Sequence, residues 1–349
     1  MSQNQPRQHP LQPAIRRGPA VVRDNPVPPQ WPSFTGVSQF VGTSPSGRVT
    51  VFFDPTLGAS GQQNAQDLVN DADRIFDANN AFFATQGGPV NVIIFALHGA
   101  TDGTGGADHL GCDFQTGADI EVCASFGNPA RVSALFEAEL SECCMGGNLC
   151  GFSTGEALSR WCAAIVSNNA LSDFATAPLW AQDGMPDFVN HTDQDDRNAV
   201  STGCGMAFLS FLISQGHSLA QIAQTMVGLG DLGTLAQLYA QLTSDAPGNA
   251  FPKFTAAINA LPGGVNTDDP FGAFSRSVQL AHQPGWTAAL AGKVFSSIVA
   301  DITAGKTAHQ IVAEVHAILG AAPAKPLQRA AAAACYVGSR ALLPPNKAV

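Results

Sequence analysis

The chain has 349 residues, of which 45% are hydrophobic and only 13% charged, with 17 basic against 27 acidic side chains. A net charge of −10 argues against a dedicated nucleic-acid binder, which carries a basic stripe, and no run reaches the roughly 18 apolar residues that span a bilayer. The length suffices to bury a core without staples, while the low charge and 35 glycines leave weakly charged surfaces that favour a protein partner or self-association.

Eight of the 23 prolines fall within Met1–Pro32, beside Arg7, Arg16, Arg17 and Arg23 and a single acid, Asp24. Proline at this density removes amide donors and excludes regular helix. Residues 1–35 are therefore expected to form an extended arm outside the core, either a free tail or a basic strand lying on an acidic body. The segment lacks the apolar stretch of a secretory signal. A cytoplasmic, reducing setting is the default expectation, with non-classical export left open.

Arg48–Asp54 (RVTVFFD) has the β-branched and aromatic composition of a strand. Gln62–Phe83 places Leu68, Ala72, Ile75, Phe76 and Phe82 near a 3.6-residue period, which predicts a helix. Pro89–Leu97 is a continuous apolar strand of the kind buried on both faces. His98–Gly111 is a glycine-rich loop, and Ile120–Ser125 a further short strand. Asn128-Pro129 supplies an N-cap followed by proline at the first helical position. Helices are expected from there on, at about 129–145, 154–168, 198–215, 218–228, 233–243, 251–261, 285–303, 307–319 and 326–342. Strands first and helices afterwards predict an α+β domain over 36–265 and a helical region over 266–349.

On the helix from Pro129, Val132, Leu135, Phe136, Leu140 and Cys143 make an apolar stripe. At 100° per residue Glu139 falls inside it and Glu142 on its edge, while Glu137 and Ser141 are expected to face solvent. A buried bare carboxylate is unfavourable by several kcal/mol unless paired, protonated or metal-bound, so Glu139 needs a partner. On the next helix Leu158, Trp161, Cys162 and Ile165 line one side, and Glu156 and Arg160, four apart, share the other.

The stretch FEAELSECCMGG…STGEALSRWCA resembles the core of the gluzincins, the thermolysin-like zinc peptidases. Their helix H-E-x-x-H supplies two histidine ligands and a glutamate base, and a glutamate on the following helix is the third ligand. The resemblance covers about residues 48–262 and implies a zincin-like fold. It puts Glu139 at the base and Glu156 at the glutamate ligand. It also puts Ala138 and Glu142 where the ligand histidines stand, Val200 at the transition-state histidine and Arg160 at a second-shell aspartate. Two imidazoles are thus missing and a guanidinium, which does not deprotonate, stands nearby. The expectation is a dismantled peptidase site in which Arg160 balances Glu139, Glu142 and Glu156. No cofactor is expected; the ligand loss argues against zinc and leaves calcium held by carboxylates as the alternative cation.

Two acidic loops offer oxygen ligands: Asp102, Asp108 and His109 in the glycine-rich segment, and Asp193 and Asp195 ahead of the helix at 198. Each reads either as a calcium loop or as hydrogen-bonded turns, the second also as acids suiting a helix N-terminus. None of the eight cysteines forms a C-x-x-C pair. Cys112 with Cys123, and Cys144 with Cys150, are the candidate disulfide partners should the chain meet an oxidising setting; the others fit buried thiols. Function is then expected to be non-catalytic, the binding of a partner or of copies of the chain. An active hydrolase with an atypical carboxylate site and a structural, self-assembling protein are the rivals.

Overall fold

The apolar runs of the first hundred residues pair into one sheet. Strand β2 (Val49–Phe53) and strand β3 (Val90–Phe95) lie parallel, joined by helix α1 (Gly58–Phe83). The computed structural model describes residues 26–273. The helices expected over 285–303, 307–319 and 326–342, with nearly all of the 266–349 region, lie outside them.

The sheet order is β1-β2-β3-β5-β4. Strand β1 (Gln39–Thr43) is an antiparallel partner of β2, with a register shift between Phe40 and Gly42. Strand β5 (Asp119–Cys123) continues the parallel set beside β3. The two-residue strand β4 (Ala107–Asp108) closes the edge antiparallel to β5, inside the segment expected to be only loop. Five strands followed by helices make the fold α+β, in the expected order.

Phe52, Ile93 and Glu121 are register partners, so their side chains share one sheet face. The chain from Trp31 to Ser38 covers that face. Trp31 is 7% exposed and meets Phe52 edge-on at 5.5 Å, and Phe34 lies 5.0 Å from Phe95. Fully buried Glu121 accepts from the backbone N–H groups of Ser33 and Phe34 at 2.9 and 2.7 Å and from the Ser33 hydroxyl at 2.5 Å. The expectation that all of residues 1–35 stay outside the core is thereby corrected. The core begins at Trp31, because an indole and a phenyl ring bury more apolar area than the prolines around them withhold. The four arm arginines lie outside the described residues.

Helix α2 (Pro129–Cys144) starts as expected, with the Asn128 side chain accepting from the Arg131 N–H. It packs between α1, β5 and helix α3 (Ser153–Val166). Beyond lie α4 (Ala177–Gln182), α5 (Ala199–Ser214), α6 (Leu219–Leu229), α7 (Leu235–Thr243) and α8 (Ala250–Asn259). These helices with α3 enclose a second core around Trp161, Trp180, Phe208 and Phe254. Helix α5 is buried along most of its length. Its Gly203 lets the helix approach the Thr176 carbonyl so closely that a Cβ there would stand 2.2 Å from the oxygen.

Candidate functional site

The site forms where edge strand β4 passes over α2. Helix α2 is enclosed on most of its sides, and this overturns one expectation from its pattern. Glu137 and Ser141, expected in solvent, are fully buried. Asn79 of α1 donates to Glu137 Oε2 at 3.2 Å, and the Ser141 hydroxyl donates to the Ala138 carbonyl at 2.6 Å. Burial pushes the Glu137 carboxyl well above its ordinary value, with Arg74 pulling the other way.

Glu139 and Glu142 occupy the one side of α2 that is left partly open, each with 15% of its side chain exposed. The residue between them in space is His109, which follows directly after β4. Its Nε2 lies 3.1 Å from Glu142 Oε2 and 3.6 Å from Glu139 Oε2, and its side chain is 5% exposed. His109 Nδ1 stands 4.0 Å from the Cys143 sulfur, whose thiol donates to the Gly117 carbonyl at 3.2 Å. Imidazole, two carboxylates and a thiol therefore come together from two elements.

Glu156, in the first turn of α3, completes the cluster electrostatically. Burial, then the charge of Glu142, raises its carboxyl to about 7, with Asp196 adding to the rise and Arg160 opposing it. Burial, followed by Glu142, Glu156, Asp108 and Asp196, lifts Glu139 well above the carboxylate range. Excess negative charge in a partly dry cleft makes protonation or pairing with a cation favourable.

Arg160 does not serve as the shared counter-charge expected of it. Its guanidinium donates to the Phe174 carbonyl and to Thr176 Oγ1 at 3.3 Å, and pairs with Asp268 at 3.5 Å. Asp268 in turn accepts from the backbone N–H groups of Thr176 and Ala177 at 2.8 and 2.7 Å. The arginine thus ties the segment ahead of α4 to the chain near residue 268, and acts on Glu156 through its charge. Four-residue spacing within α3 permitted a Glu156–Arg160 pair, but carbonyl and carboxylate acceptors from other segments take the guanidinium.

The remaining candidates separate from the cluster. Asp102 accepts from the N–H and hydroxyl of Thr104, at 3.0 and 2.6 Å, in a local turn. Asp193 accepts from the Asn198 amide at 2.7 Å and Asp195 from the Arg197 N–H at 2.9 Å, which are loop and cap bonds. Asp108 is exposed beside His109 and acts on Glu139 through its charge alone. Asp196, which the same acidic stretch contains, is exposed and adds its charge to the upward shifts of Glu139 and Glu156.

The disulfide pairing differs from both expected pairs. Cys112 is bonded to Cys150, with Cα atoms 5.7 Å apart, while Cys123 and Cys144 are free and buried. Equal spacing about Thr116-Gly117 suggested a simple hairpin. The loop instead turns toward the α2–α3 connection, where the Gly147 N–H donates to the Cys112 carbonyl at 2.7 Å.

No family model, curated protein or solved structure matches the chain.

The donor set does not suit zinc in the gluzincin manner. Ala138 offers no ligand atom, Glu142 offers oxygen in place of nitrogen, and the single imidazole arrives from β4 and faces the carboxylates. Among the described residues no three His, Cys, Asp or Glu side chains stand at ligand spacing.

Proposed function

We propose that this chain is a zincin-like pseudo-peptidase, whose former catalytic cleft serves to bind a partner protein or a second copy of the chain. The strand–helix–strand order, with a short edge strand ahead of α2, supports the zincin comparison. The observation that carries the loss of catalysis is His109 Nε2 at 3.1 and 3.6 Å from Glu142 and Glu139. An imidazole engaged by both carboxylates stands where a cation would otherwise balance them. The group within reach of both carboxylates is His109 in place of Arg160, and its ring takes the side from which Glu139 would act as a base on bound water.

One observation favours a second reading, a cation-dependent hydrolase. Glu139 and Glu142 share one imidazole, and Glu156, Asp108 and Asp196 add negative charge around them. A bound divalent cation would supply Lewis-acid polarisation of a carbonyl there. His109, Glu142 and Glu156 would have to close up to hold it, since they do not stand at ligand spacing, and Glu139 would move the proton.

The two readings separate in one experiment on the full-length chain. Metal analysis and calorimetric titration with zinc, manganese and calcium are expected to show no stoichiometric binding, and a panel of peptide substrates no turnover. Stoichiometric metal, together with hydrolysis abolished by Glu139→Gln, would replace the first reading with the second.

A further inference from the structure

The Cys112–Cys150 disulfide lies between the elements that build the His109–carboxylate cluster. His109 is the first residue after β4, and Cys112 follows three residues later. Cys150 lies in the connection between α2, which carries Glu139 and Glu142, and α3, which carries Glu156. Near Cys112 the other tie between these segments is the Gly147–Cys112 backbone hydrogen bond. The connection is itself held from a third side, because Asp231 accepts from the Leu149 N–H at 2.7 Å. Gly146, Gly147 and Gly151 take positive φ freely, whereas Leu149 at φ 64° adopts a conformation that a leucine rarely holds without outside support.

Both disulfide cysteines are half-buried, and Leu110, two residues before Cys112, is 77% exposed. The free thiols of Cys123, Cys143, Cys144, Cys162 and Cys204 are all buried. A soluble thiol therefore reaches the disulfide before it reaches any of those five sulfurs.

We infer that the Cys112–Cys150 disulfide is a redox-sensitive clamp that keeps His109 seated between Glu139 and Glu142. The reductant is a dithiol or two monothiols. An attacking thiolate bonds to one sulfur as the Cys112–Cys150 bond breaks, and the displaced sulfur takes a proton from solvent. A second reductant thiol then resolves the mixed disulfide. The protein gains two thiols, and the reductant leaves as a disulfide. Once released, the 109–117 segment keeps the Phe114 contact with Phe76, at 6.0 Å, and the Cys143–Gly117 bond. The end that carries His109 loses its covalent anchor, and the cleft becomes a bare acidic surface. The clamp rests on the geometry of the site and holds whether the cleft binds a partner or catalyses, so metal binding or hydrolysis would change that reading and leave the clamp standing.

Hydrogen exchange and the His109 imidazole resonance, followed in the full-length chain before and after dithiothreitol, test the clamp. Reduction is expected to speed exchange at 109–117 at least tenfold more than in α5 and to shift the His109 resonance. A Cys112→Ser, Cys150→Ser double variant should show the reduced pattern with or without reductant. An unreduced, denatured chain should titrate two fewer thiols than a reduced one. Unchanged exchange and resonance on reduction would overturn the clamp, as would equal thiol counts. Exchange speeded by the same factor in 109–117 and in α5 would do the same, because the disulfide would then support the whole fold instead of the loop.

Discussion

Asn79 of α1 donates to Oε2 of Glu137 of α2 across 3.2 Å, and neither side chain is exposed to solvent. The other oxygens of both groups, Glu137 Oε1 and Asn79 Oδ1, have no protein partner. A neutral carboxyl tolerates such a place far better than an ionised one, which accords with the upward shift at Glu137.

That shift sets a pH dependence. Above the ordinary value of 4.5 the unfolded chain releases this proton while the folded chain keeps it. Stability from Glu137 therefore falls as pH rises, by about 1.4 kcal/mol per unit until the folded value is reached. Glu137→Gln, which keeps the shape without the proton, should remove that slope. Urea unfolding at pH 5 and pH 8 should show the variant gaining on the wild type at the higher pH. A parallel pair of profiles would show that Glu137 stays ionised in the fold.

Glu121 joins the Trp31–Ser38 strap to the sheet. Replacing it with leucine removes an acceptor for two backbone N–H groups and a hydroxyl. The expected loss is about 2–4 kcal/mol, since charge-assisted bonds and stranded donors both contribute. Limited proteolysis should then cut between residues 31 and 38 before any site in α2, a result the wild type should not give.

Gly203→Ala tests the contact of α5 with the segment ahead of α4. The added methyl would meet the Thr176 carbonyl, a backbone atom that cannot swing aside. A loss of about 1–3 kcal/mol is expected from the forced separation, read as a lower urea midpoint. An unchanged midpoint would mean that α5 shifts without resistance.

The disulfide should contribute about 2–4 kcal/mol, as a cross-link between residues 38 apart does through the unfolded chain. The melting temperature of the Cys112→Ser, Cys150→Ser variant should match that of the reduced wild type. Burial pushes the Cys144 thiol up to about 12, so it should resist alkylation in the native protein at pH 8. After mild reduction the first labelled sites among the described cysteines should be Cys112 and Cys150, mapped by mass spectrometry.

What could be read from the chain follows from how local each signal is. Apolar runs and the Asn128-Pro129 start gave β2, β3, β5 and α2 within a few residues, because strand composition and capping act over short distances. β1 and β4 were not foreseen: QFVGT is only partly buried, and two residues carry no alternation. The periodicity of α2 marked its apolar stripe correctly, yet misassigned Glu137 and Ser141. An amphipathic pattern presumes one packed face, and α2 has several.

The site divides in the same way. The α+β order, the capped helices and the presence of acids at 139, 142 and 156 are properties of the sequence, set by period, turn chemistry and charge. Tertiary structure alone chose the partners. It brought His109 to Glu139 and Glu142, sent Arg160 to Phe174 and Asp268, and joined Cys112 to Cys150. The physical reason is range. Helical and strand patterns depend on neighbours a few residues away, whereas pairing of a buried charge or a thiol depends on which distant segment arrives within a few ångströms.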